Sequence, residues 1–278
     1  MMAPRAMRFG CCASLADAPL VRDAGFAYIE LTVGTLMSAP DEAGFRRVAH
    51  EIAALGLPVA ACNVFIPATL PITGPQVARE PLWAYAATAL QRMGEIGVRV
   101  CVFGSGGARS IPDNFDRAEA GDQLAAFLAH VEEQSARNNV RVVIEPLNRK
   151  ESNIFNSVAE SDEFARGRGL PGIGVLADLY HLSVEDEGFA GMRAAGDRLW
   201  HAHVADADRS APGEGTPTDY AGFFQTLQSM DYPGAISVEA RWRATVGDEV
   251  RGAETIDRET EHHRALAFLH RQWEAAAS

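Results

Sequence analysis

Residues 140–156 read Val-Arg-Val-Val-Ile-Glu-Pro-Leu-Asn-Arg-Lys-Glu-Ser-Asn-Ile-Phe-Asn. The apolar run at 142–144 predicts a buried parallel strand, and the proline that follows Glu145 ends it. A carboxylate at the end of a buried strand is costly to desolvate unless a cation or hydrogen-bond donors receive it. The segment itself leaves the partner of Glu145 open, because Arg149 or Arg141 could form an ordinary salt bridge with it.

Short apolar runs alternate with longer helical patterns along the whole sequence. Strands are predicted at residues 8–13, 27–31, 58–64, 98–103, 140–145, 173–178, 199–205 and 235–239. Helices are predicted at residues 41–55, 77–96, 113–137, 157–168, 219–230 and 255–273, besides a short one that ends at Gly25. The count of eight strands and eight helices, one of the helices without an assigned range, predicts an α/β fold, a single (β/α)8 barrel domain over residues 1–278. A doubly wound sheet is the alternative, but its usual Gly-rich first βα turn is missing.

Composition and charge narrow the class of protein. Hydrophobic residues make up 47% and charged residues 22% of the 278 residues, which is typical of a globular protein. The formal net charge of -12, with no basic stripe, disfavours a nucleic-acid partner. No signal peptide or bilayer-spanning stretch is evident, so a cytoplasmic protein without a membrane partner is expected. The four cysteines lack C-x-x-C spacing and are interpreted as buried thiols.

Four polar residues lie at the ends of strands five to eight: Glu145, Asp178, His203 and Glu239. In a (β/α)8 barrel these ends converge on one mouth, where three unpaired carboxylates would raise one another's proton affinity. A divalent cation solves this problem. One imidazole with three carboxylates suits Mn2+ or Mg2+, with Co2+ as a further option. His201 lies two residues before His203 on the same strand, and we interpret it as a structural residue in a deeper barrel layer.

The same strand ends carry a resemblance to a known family. The residues that carry it are Glu145-Pro146-Leu147-Asn148-Arg149 with Glu151 and Asn153, Asp178-Leu179-Tyr180-His181, His201-Ala202-His203, Arg209, Pro212-Gly213-Glu214-Gly215, and Val238-Glu239. This set resembles the sugar phosphate isomerase/epimerase superfamily with a xylose-isomerase-like barrel. Within that superfamily the chain is most similar to the ketose 3-epimerases acting on D-tagatose and D-psicose, with hydroxypyruvate isomerase next.

The resemblance implies a function and a set of roles. It implies a carbohydrate isomerase or epimerase that binds one divalent metal ion, Mn2+ before Mg2+ or Co2+, through Glu145, Asp178, His203 and Glu239. Glu145 and Glu239 would also be the catalytic acid/base pair, and substrate oxygens would be contacted by Glu151, His181 and Arg209. A metal that chelates neighbouring ketose oxygens acidifies the C–H between them and stabilises the cis-enediolate. One carboxylate then removes the C3 proton and the other returns a proton to the opposite face. Relatives of this kind are commonly homodimers or homotetramers.

Some of these residues have simpler alternative roles. Arg209 could be a loop arginine that pairs with Asp206 or Asp208. His181 follows Asp178 by three residues and could orient that carboxylate instead of touching substrate.

Other positions are less certain in the sequence itself. Glu151 could be a solvated loop residue. Strands one to three offer only Glu30, Asn63 and Phe65 as candidate sugar contacts. The glycine-rich stretch at 104–109 is a weak phosphate-binding signal, because it lacks both the Lys-Ser/Thr ending and the G-x-G-x-x-G spacing.

Four functions compete at this stage. The first is a metal-dependent epimerase or isomerase of a ketose or small hydroxy-carbonyl compound. The second is a dehydratase or lyase of a keto-inositol, dehydroshikimate or oxidised sugar, which begins with the same proton removal. The third is an apurinic-site endonuclease, which the net charge of -12 disfavours. The fourth is a barrel that binds a sugar without turning it over.

Overall fold

Eight parallel strands close into a barrel in sequence order, in a computed structural model that describes residues 7–242 and 257–277. The strands are β1 (Phe9–Cys12), β2 (Tyr28–Thr32), β3 (Val59–Asn63), β4 (Val100–Phe103), β5 (Arg141–Ile144), β6 (Ile173–Asp178), β7 (Leu199–Val204) and β8 (Ile236–Val238). Closure is made between β1 and β8, where Gly10 pairs with Ser237. The predicted (β/α)8 fold is confirmed, with each strand within about two residues of its predicted ends.

The helices lie between consecutive strands. In the described residues they are α1 (Ala18–Asp23), α2 (Val33–Met37), α3 (Glu42–Ala53), α4 (Arg79–Glu95), α5 (Gly106–Arg109), α6 (Arg117–Asn138), α7 (Val158–Gly167), α8 (Leu179–Glu185), α9 (Ala190–Ala195), α10 (Tyr220–Ser229) and α11 (Arg258–Ala276). The expected count of eight was too low, because α2, α5, α8 and α9 are too short for helical periodicity to reveal. The last helix was predicted to begin at Thr255, which lies outside the described residues.

Capping residues explain where several long helices begin. Asp116 accepts a hydrogen bond from the backbone N–H of Glu119 at 2.8 Å, so α6 begins four residues later than the predicted residue 113. Ser157 accepts one from the N–H of Glu160 at 3.0 Å at the start of α7. Such caps satisfy N–H groups that have no partner inside the helix.

Two layers of apolar side chains make the core. The larger one lies between the strands and the helices, while Val102, Val143 and Leu176 form a separate buried cluster. These three residues occupy the inner faces of β4, β5 and β6, so the middle of the barrel is filled and is no channel. Polar side chains on the inner faces are therefore found at the two ends of the barrel.

Two further sequence expectations concern membrane-spanning helices and the cysteines. Among the described residues no helix has the length and apolarity that a bilayer crossing requires. Three of the four cysteines are buried free thiols, but Cys12 at the end of β1 is partly exposed. The prediction that residues 1–278 form one domain stays a prediction, as does the cytoplasmic location.

Candidate functional site

Four side chains that the sequence placed at strand ends meet at the C-terminal mouth of the barrel: Glu145, Asp178, His203 and Glu239. One ligand atom from each lies within 4.8 Å of the ligand atoms of the other three. The barrel register brings them together, since Asp178 pairs with His203 across β6 and β7 and Val204 pairs with Val238 across β7 and β8. The structure thus assembles the predicted group, while its role as a metal site stays a prediction.

His203 presents one ring nitrogen to this group and the other to the barrel interior. Its Nδ1 lies 3.1 Å from Glu145 Oε1 and 3.6 Å from Glu239 Oε2. Its Nε2 lies 3.0 Å from Glu30 Oε1. Burial disfavours the charged imidazole, but the Glu30, Glu145 and Glu239 carboxylates raise the pKa of His203 well above its ordinary value. A carboxylate behind the far nitrogen is the arrangement that fixes metal-binding histidines in proteins.

The carboxylates of the group are crowded and incompletely paired. Burial, and then the charge of Glu239, raise the pKa of Glu145. Burial, followed by the neighbouring Glu145 and Glu239 carboxylates, raises the pKa of Asp178 to about 7 against the effect of His203. Asp178 Oδ1 accepts the N–H of Tyr180 at 2.9 Å, but its buried Oδ2 has no hydrogen-bond partner among the described residues. An orphaned buried carboxylate oxygen beside two more carboxylates and an imidazole fits a divalent cation.

Glu239 is the most solvent-exposed and most strongly held of these acids. Its side chain is 21% exposed; Oε1 accepts a hydrogen bond from Asn63 Nδ2 at 2.8 Å and Oε2 one from an Arg209 terminal nitrogen at 2.9 Å. Although burial favours the neutral acid, His203 and Arg209 lower the pKa of Glu239 to about 2. Asn63, which the sequence offers as a candidate sugar contact, therefore holds Glu239 with its nitrogen, while its buried Oδ1 has no partner among the described residues.

Glu30 lies below the four-residue group and does not face a substrate. Its side chain is fully buried, and Oε2 is 2.9 Å from His201 Nε2 and 2.6 Å from Ser237 Oγ. Burial opposes its charge, but His203 and His201 lower its pKa below the usual range. The interpretation of Glu30 as a sugar contact is wrong, and the interpretation of His201 as a buried, hydrogen-bonded residue of a deeper layer is confirmed.

Arg209 joins two acids across the mouth. One terminal nitrogen donates to Glu151 Oε1 at 3.0 Å and the other to Glu239 Oε2 at 2.9 Å. Its guanidinium lies 4.6 Å from the centre of the Tyr180 ring. Burial opposes the charge, but Glu239 and other nearby carboxylates raise the pKa of Arg209 further above its ordinary value.

The alternative salt bridges proposed for Arg209 and Glu145 are wrong. Asp206 accepts hydrogen bonds from the N–H groups of residues 213–215 and from Tyr220. Asp208 accepts those of Ser210 and Thr216, so neither acid is the side-chain partner of Arg209. Arg149 instead pairs with Glu185, and the Arg141 guanidinium lies 5.3 Å from the Trp200 ring. Glu145 therefore has no local arginine partner.

His181 and Glu151 are positioned by one asparagine. The backbone N–H of Asn148 donates to His181 Nδ1 at 3.0 Å, and Asn148 Nδ2 donates to Glu151 Oε1 at 2.9 Å. Burial lowers the pKa of His181 to about 3, so the ring is neutral, and because Nδ1 accepts, Nε2 carries the proton. That Nε2 lies 3.6 Å from Asp178 Oδ2, too far for a hydrogen bond, and has no partner among the described residues.

Two residues of the glycine-rich stretch 104–109, which the sequence marks as a weak phosphate-binding signal, instead support the position of Glu145. Arg109 is fully buried and donates to the main-chain carbonyls of Phe103 and Glu145, both at 2.8 Å, so the arginine of the glycine-rich stretch fastens the backbone that carries Glu145. A Cβ on Gly104 would lie 2.2 Å from Glu145 Oε2, so this glycine makes room for that carboxylate. Phe65 is buried against Phe103, and its interpretation as a sugar contact is wrong.

Known proteins resemble this chain in sequence and in fold. A family model described as a xylose isomerase-like TIM barrel matches residues 18–272. The 3-dehydro-D-guloside 4-epimerase of Escherichia coli strain K12 is 31% identical over 160 residues, 56% of this chain and 61% of that protein. The L-ribulose 3-epimerase of Methylomonas sp. strain DH-1 is 31% identical over 145 residues, 52% of this chain and 48% of that protein. The matched part of the chain thus spans about half to three fifths of these relatives. A solved L-ribulose 3-epimerase structure superposes with a TM-score of 0.81 at 24% identity, over 98% of this chain and 96% of that one, which shows a shared fold.

Proposed function

Since the chain belongs to the xylose isomerase-like TIM barrel family, we propose that it is a metal-dependent carbohydrate epimerase. The reaction we propose inverts a carbon next to a ketone, with C3 of a ketose as the first position to test. The relatives named above are sugar epimerases, which supports this class of reaction. The observation that carries the proposal is the group of four ligand atoms within 4.8 Å at the barrel mouth.

The donor set suits a hard divalent ion. Glu145, Asp178, Glu239 and the Nδ1 atom of His203 would hold it, with Mn2+ as the first ion to test and Mg2+ or Co2+ as alternatives. When bound, such an ion supplies Lewis-acid polarisation of a carbonyl, which acidifies the neighbouring C–H. The unpartnered Asp178 Oδ2 and the repulsion among the carboxylates support this assignment.

Glu145 and Glu239 are the residues that we propose to move the proton. They follow β5 and β8, which are not adjacent strands, so the two carboxylates approach the mouth from separate parts of the barrel wall. One carboxylate removes the proton and keeps it, while the other, already protonated, gives a different proton to the opposite face, and this exchange inverts the carbon. Asn63 and Arg209 each donate to one oxygen of Glu239 and hold that carboxylate in place.

Glu151, His181 and Arg209 would form hydrogen bonds with the hydroxyl groups of the substrate. The protonated Nε2 of His181 is a free donor, and the Oδ1 of Asn63 is a free acceptor, in the part of the chain described. A sugar supplies hydroxyl groups that both accept and donate, so it satisfies the two atoms at once. Buried polar atoms without partners are costly, and a polyol that pairs with them gains specificity.

A second substrate class rests on one specific observation. The Escherichia coli relative is named a 3-dehydro-D-guloside 4-epimerase, so its reacting carbon lies beside a ketone of a sugar ring. The first step, removal of a proton next to the carbonyl, is the same as for a ketose. Epimerisation of a keto-glycoside is therefore the alternative that an activity screen must include, together with isomerisation of hydroxypyruvate and dehydration of keto-inositols.

Proton NMR in D2O tests the proposal. The protein, purified without chelator and loaded with Mn2+, is incubated with free and phosphorylated ketoses and with a 3-keto-glucoside, and Mn2+ is removed before spectra are recorded. We expect deuterium to enter at the carbon beside the ketone as the epimer appears. An alkene product, or turnover by protein stripped of metal, would overturn it. Size-exclusion chromatography tests the predicted homodimer or homotetramer.

A further inference from the structure

A cavity lies at the end of the barrel opposite the mouth, where the strands begin. It has a volume of about 520 Å³, within the range of small-molecule sites. We call it the floor cavity and define it by Arg8, Arg99, Arg141, Tyr28, Trp200 and His201, which all line it. None of the residues that line this cavity is an aspartate or a glutamate, although the whole chain carries a net charge of -12.

The three arginines of the floor cavity lack acidic partners. None of their guanidinium groups forms an ion pair or side-chain hydrogen bond with a described residue, whereas Arg166, Arg198 and Arg209 all do. Arg8 lies over the Tyr28 ring at 5.5 Å and Arg141 over the Trp200 ring at 5.3 Å.

The barrel backbone fixes the relative positions of these groups. The backbone N–H of Arg141 donates to the Arg99 carbonyl at 2.8 Å, so these two arginines start adjacent strands. Gly174 has room for no side chain, since a Cβ there would lie 2.4 Å from the Trp200 ring. Trp200 itself donates its Nε1–H to the Asp197 carbonyl at 2.8 Å, which orients the ring that Arg141 covers.

We propose that the floor cavity binds a small anion that carries a phosphate group. A guanidinium presents a fork of N–H donors that matches phosphate oxygens, and a concave wall of a single charge sign concentrates anions. Stacking on aromatic rings holds two of the three arginines before a ligand arrives, which reduces the ordering cost of binding.

The floor cavity is separate from the candidate active site. The buried cluster of Val102, Val143 and Leu176 fills the barrel between the two ends. His201 lines the cavity, and its Nε2 lies 2.9 Å from Oε2 of Glu30, which lies below the proposed metal ligands. Anion binding at the floor therefore uses none of the proposed metal ligands.

Isothermal titration calorimetry of the full chain with inorganic phosphate, at low and constant ionic strength, tests the proposal. We expect saturable binding that weakens as salt is added. The double variant Arg99→Gln/Arg141→Gln should raise the dissociation constant at least about tenfold, because it removes charged hydrogen-bond donors. Arg99→Gln alone should also weaken binding, and since the Arg99 guanidinium forms no ion pair or hydrogen bond with a described residue, this variant breaks no such interaction in the folded protein.

Two controls separate the floor from other sites. Arg79→Gln removes the same charge from an arginine that lies 5.0 Å from the Trp83 ring outside the cavity, and should leave phosphate binding unchanged. Arg209→Gln alters the opposite end of the barrel and should also leave it unchanged. Equal loss in Arg79→Gln or Arg209→Gln, no phosphate binding at all, or a dimer that Arg99→Gln abolishes, would each overturn the proposal.

The source of the phosphate group is decided by a second titration with glycerol 3-phosphate. Tighter binding of this ester than of inorganic phosphate, lost in Arg99→Gln, identifies a phosphorylated small molecule as the ligand class. Equal or weaker binding of the ester identifies the free ion. Binding of the ester that survives in Arg99→Gln contradicts a site at the floor.

Discussion

The two ends of the barrel carry side chains of opposite charge, and β5 shows the contrast within one strand. Side chains alternate along a strand, so Arg141, Val143 and Glu145 share the inner face of β5 and its extension, with the arginine at the floor and the glutamate at the mouth. At the mouth, Glu145 is buried and contacts His203, and the partly exposed Glu239 contacts Arg209 and Asn63. The floor arginines are exposed and have no acidic partner among the described residues.

This difference shows that hydrogen bonds hold side chains in place at the mouth and not at the floor. At the mouth, each acid is tied to a neighbouring strand or loop, and glycines such as Gly104 remove any side chain that would displace it. At the floor, Arg8 and Arg141 lie over aromatic rings, and none of the three guanidinium groups forms an ion pair or side-chain hydrogen bond with a described residue, so they remain available to a ligand. Changes at the mouth should therefore alter chemistry, and changes at the floor should alter anion binding with little effect on turnover.

The largest expected effect is that of Glu145→Gln at the mouth. The amide keeps the shape of the side chain but neither accepts a proton nor offers a charged ligand atom. We expect turnover to fall by at least about 10³-fold, within the range of general acid/base contributions. Deuterium exchange into substrate, followed by NMR, measures it. Arg141→Gln, on the same strand at the floor, is the matched control and should keep wild-type turnover. Equal activity of the two variants would contradict the division between the ends.

Removal of the metal should have the second largest effect. Stripping bound Mn2+ leaves the crowded carboxylates of Glu145, Asp178 and Glu239 without their cation. At free metal about 100 times the dissociation constant, the ion contributes about 2.7 kcal/mol to the free energy of unfolding. Urea unfolding with and without added Mn2+ measures this difference. The same urea unfolding of His203→Gln should show a smaller stabilisation by Mn2+. An identical stabilisation would show that the stabilising ion binds elsewhere.

Much of the mouth could be predicted from the sequence, because an acid at the end of an apolar run is visible without a structure. Glu145, Asp178 and Glu239 were found in this way. Glu30 could not be placed, because its depth in the barrel depends on how β2 aligns with its neighbours. The alignment of β2 with β3 shifts at Ile29/Glu30, and no local pattern reveals such a shift.

The role of Arg109 could not be predicted from the sequence for a related reason. The direction of its side chain follows from the turn at Ser105, which adopts a φ of 45°. In a glycine-rich stretch the sequence permits several such turns, and each would send the arginine elsewhere. The floor cavity was missed because its arginines come from strand starts far apart in sequence, where single basic residues are ordinary surface residues.

Glu30→Gln should have the third largest effect, and it tests how the middle of the barrel supports the mouth. The amide places a donor where His203 Nε2 or His201 Nε2 now meets a carboxylate oxygen. Loss of such a partner behind a metal-binding histidine costs about 10–100-fold in metal affinity. Competition with a fluorescent chelator measures that affinity. Ser237→Ala is the control, because it removes a hydrogen bond to Glu30 Oε2 and leaves His203 untouched. A loss of the same size in Ser237→Ala would indicate a general packing defect.

The smallest expected effect is on stability at the floor. Arg141→Gln removes the guanidinium from above the Trp200 ring, an exposed cation–π contact worth about 0.5–1 kcal/mol. Because the Arg141 side chain has no ion pair or hydrogen bond with a described residue, no buried group loses a partner, and the free energy of unfolding should fall by no more than that. Added phosphate should stabilise the wild type and not Arg99→Gln, since a ligand that binds only the folded state raises its stability. Urea unfolding at matched ionic strength checks both. Equal stabilisation of the two proteins would show that phosphate binds away from the floor, and the contrast between the two ends would then rest on the mouth alone.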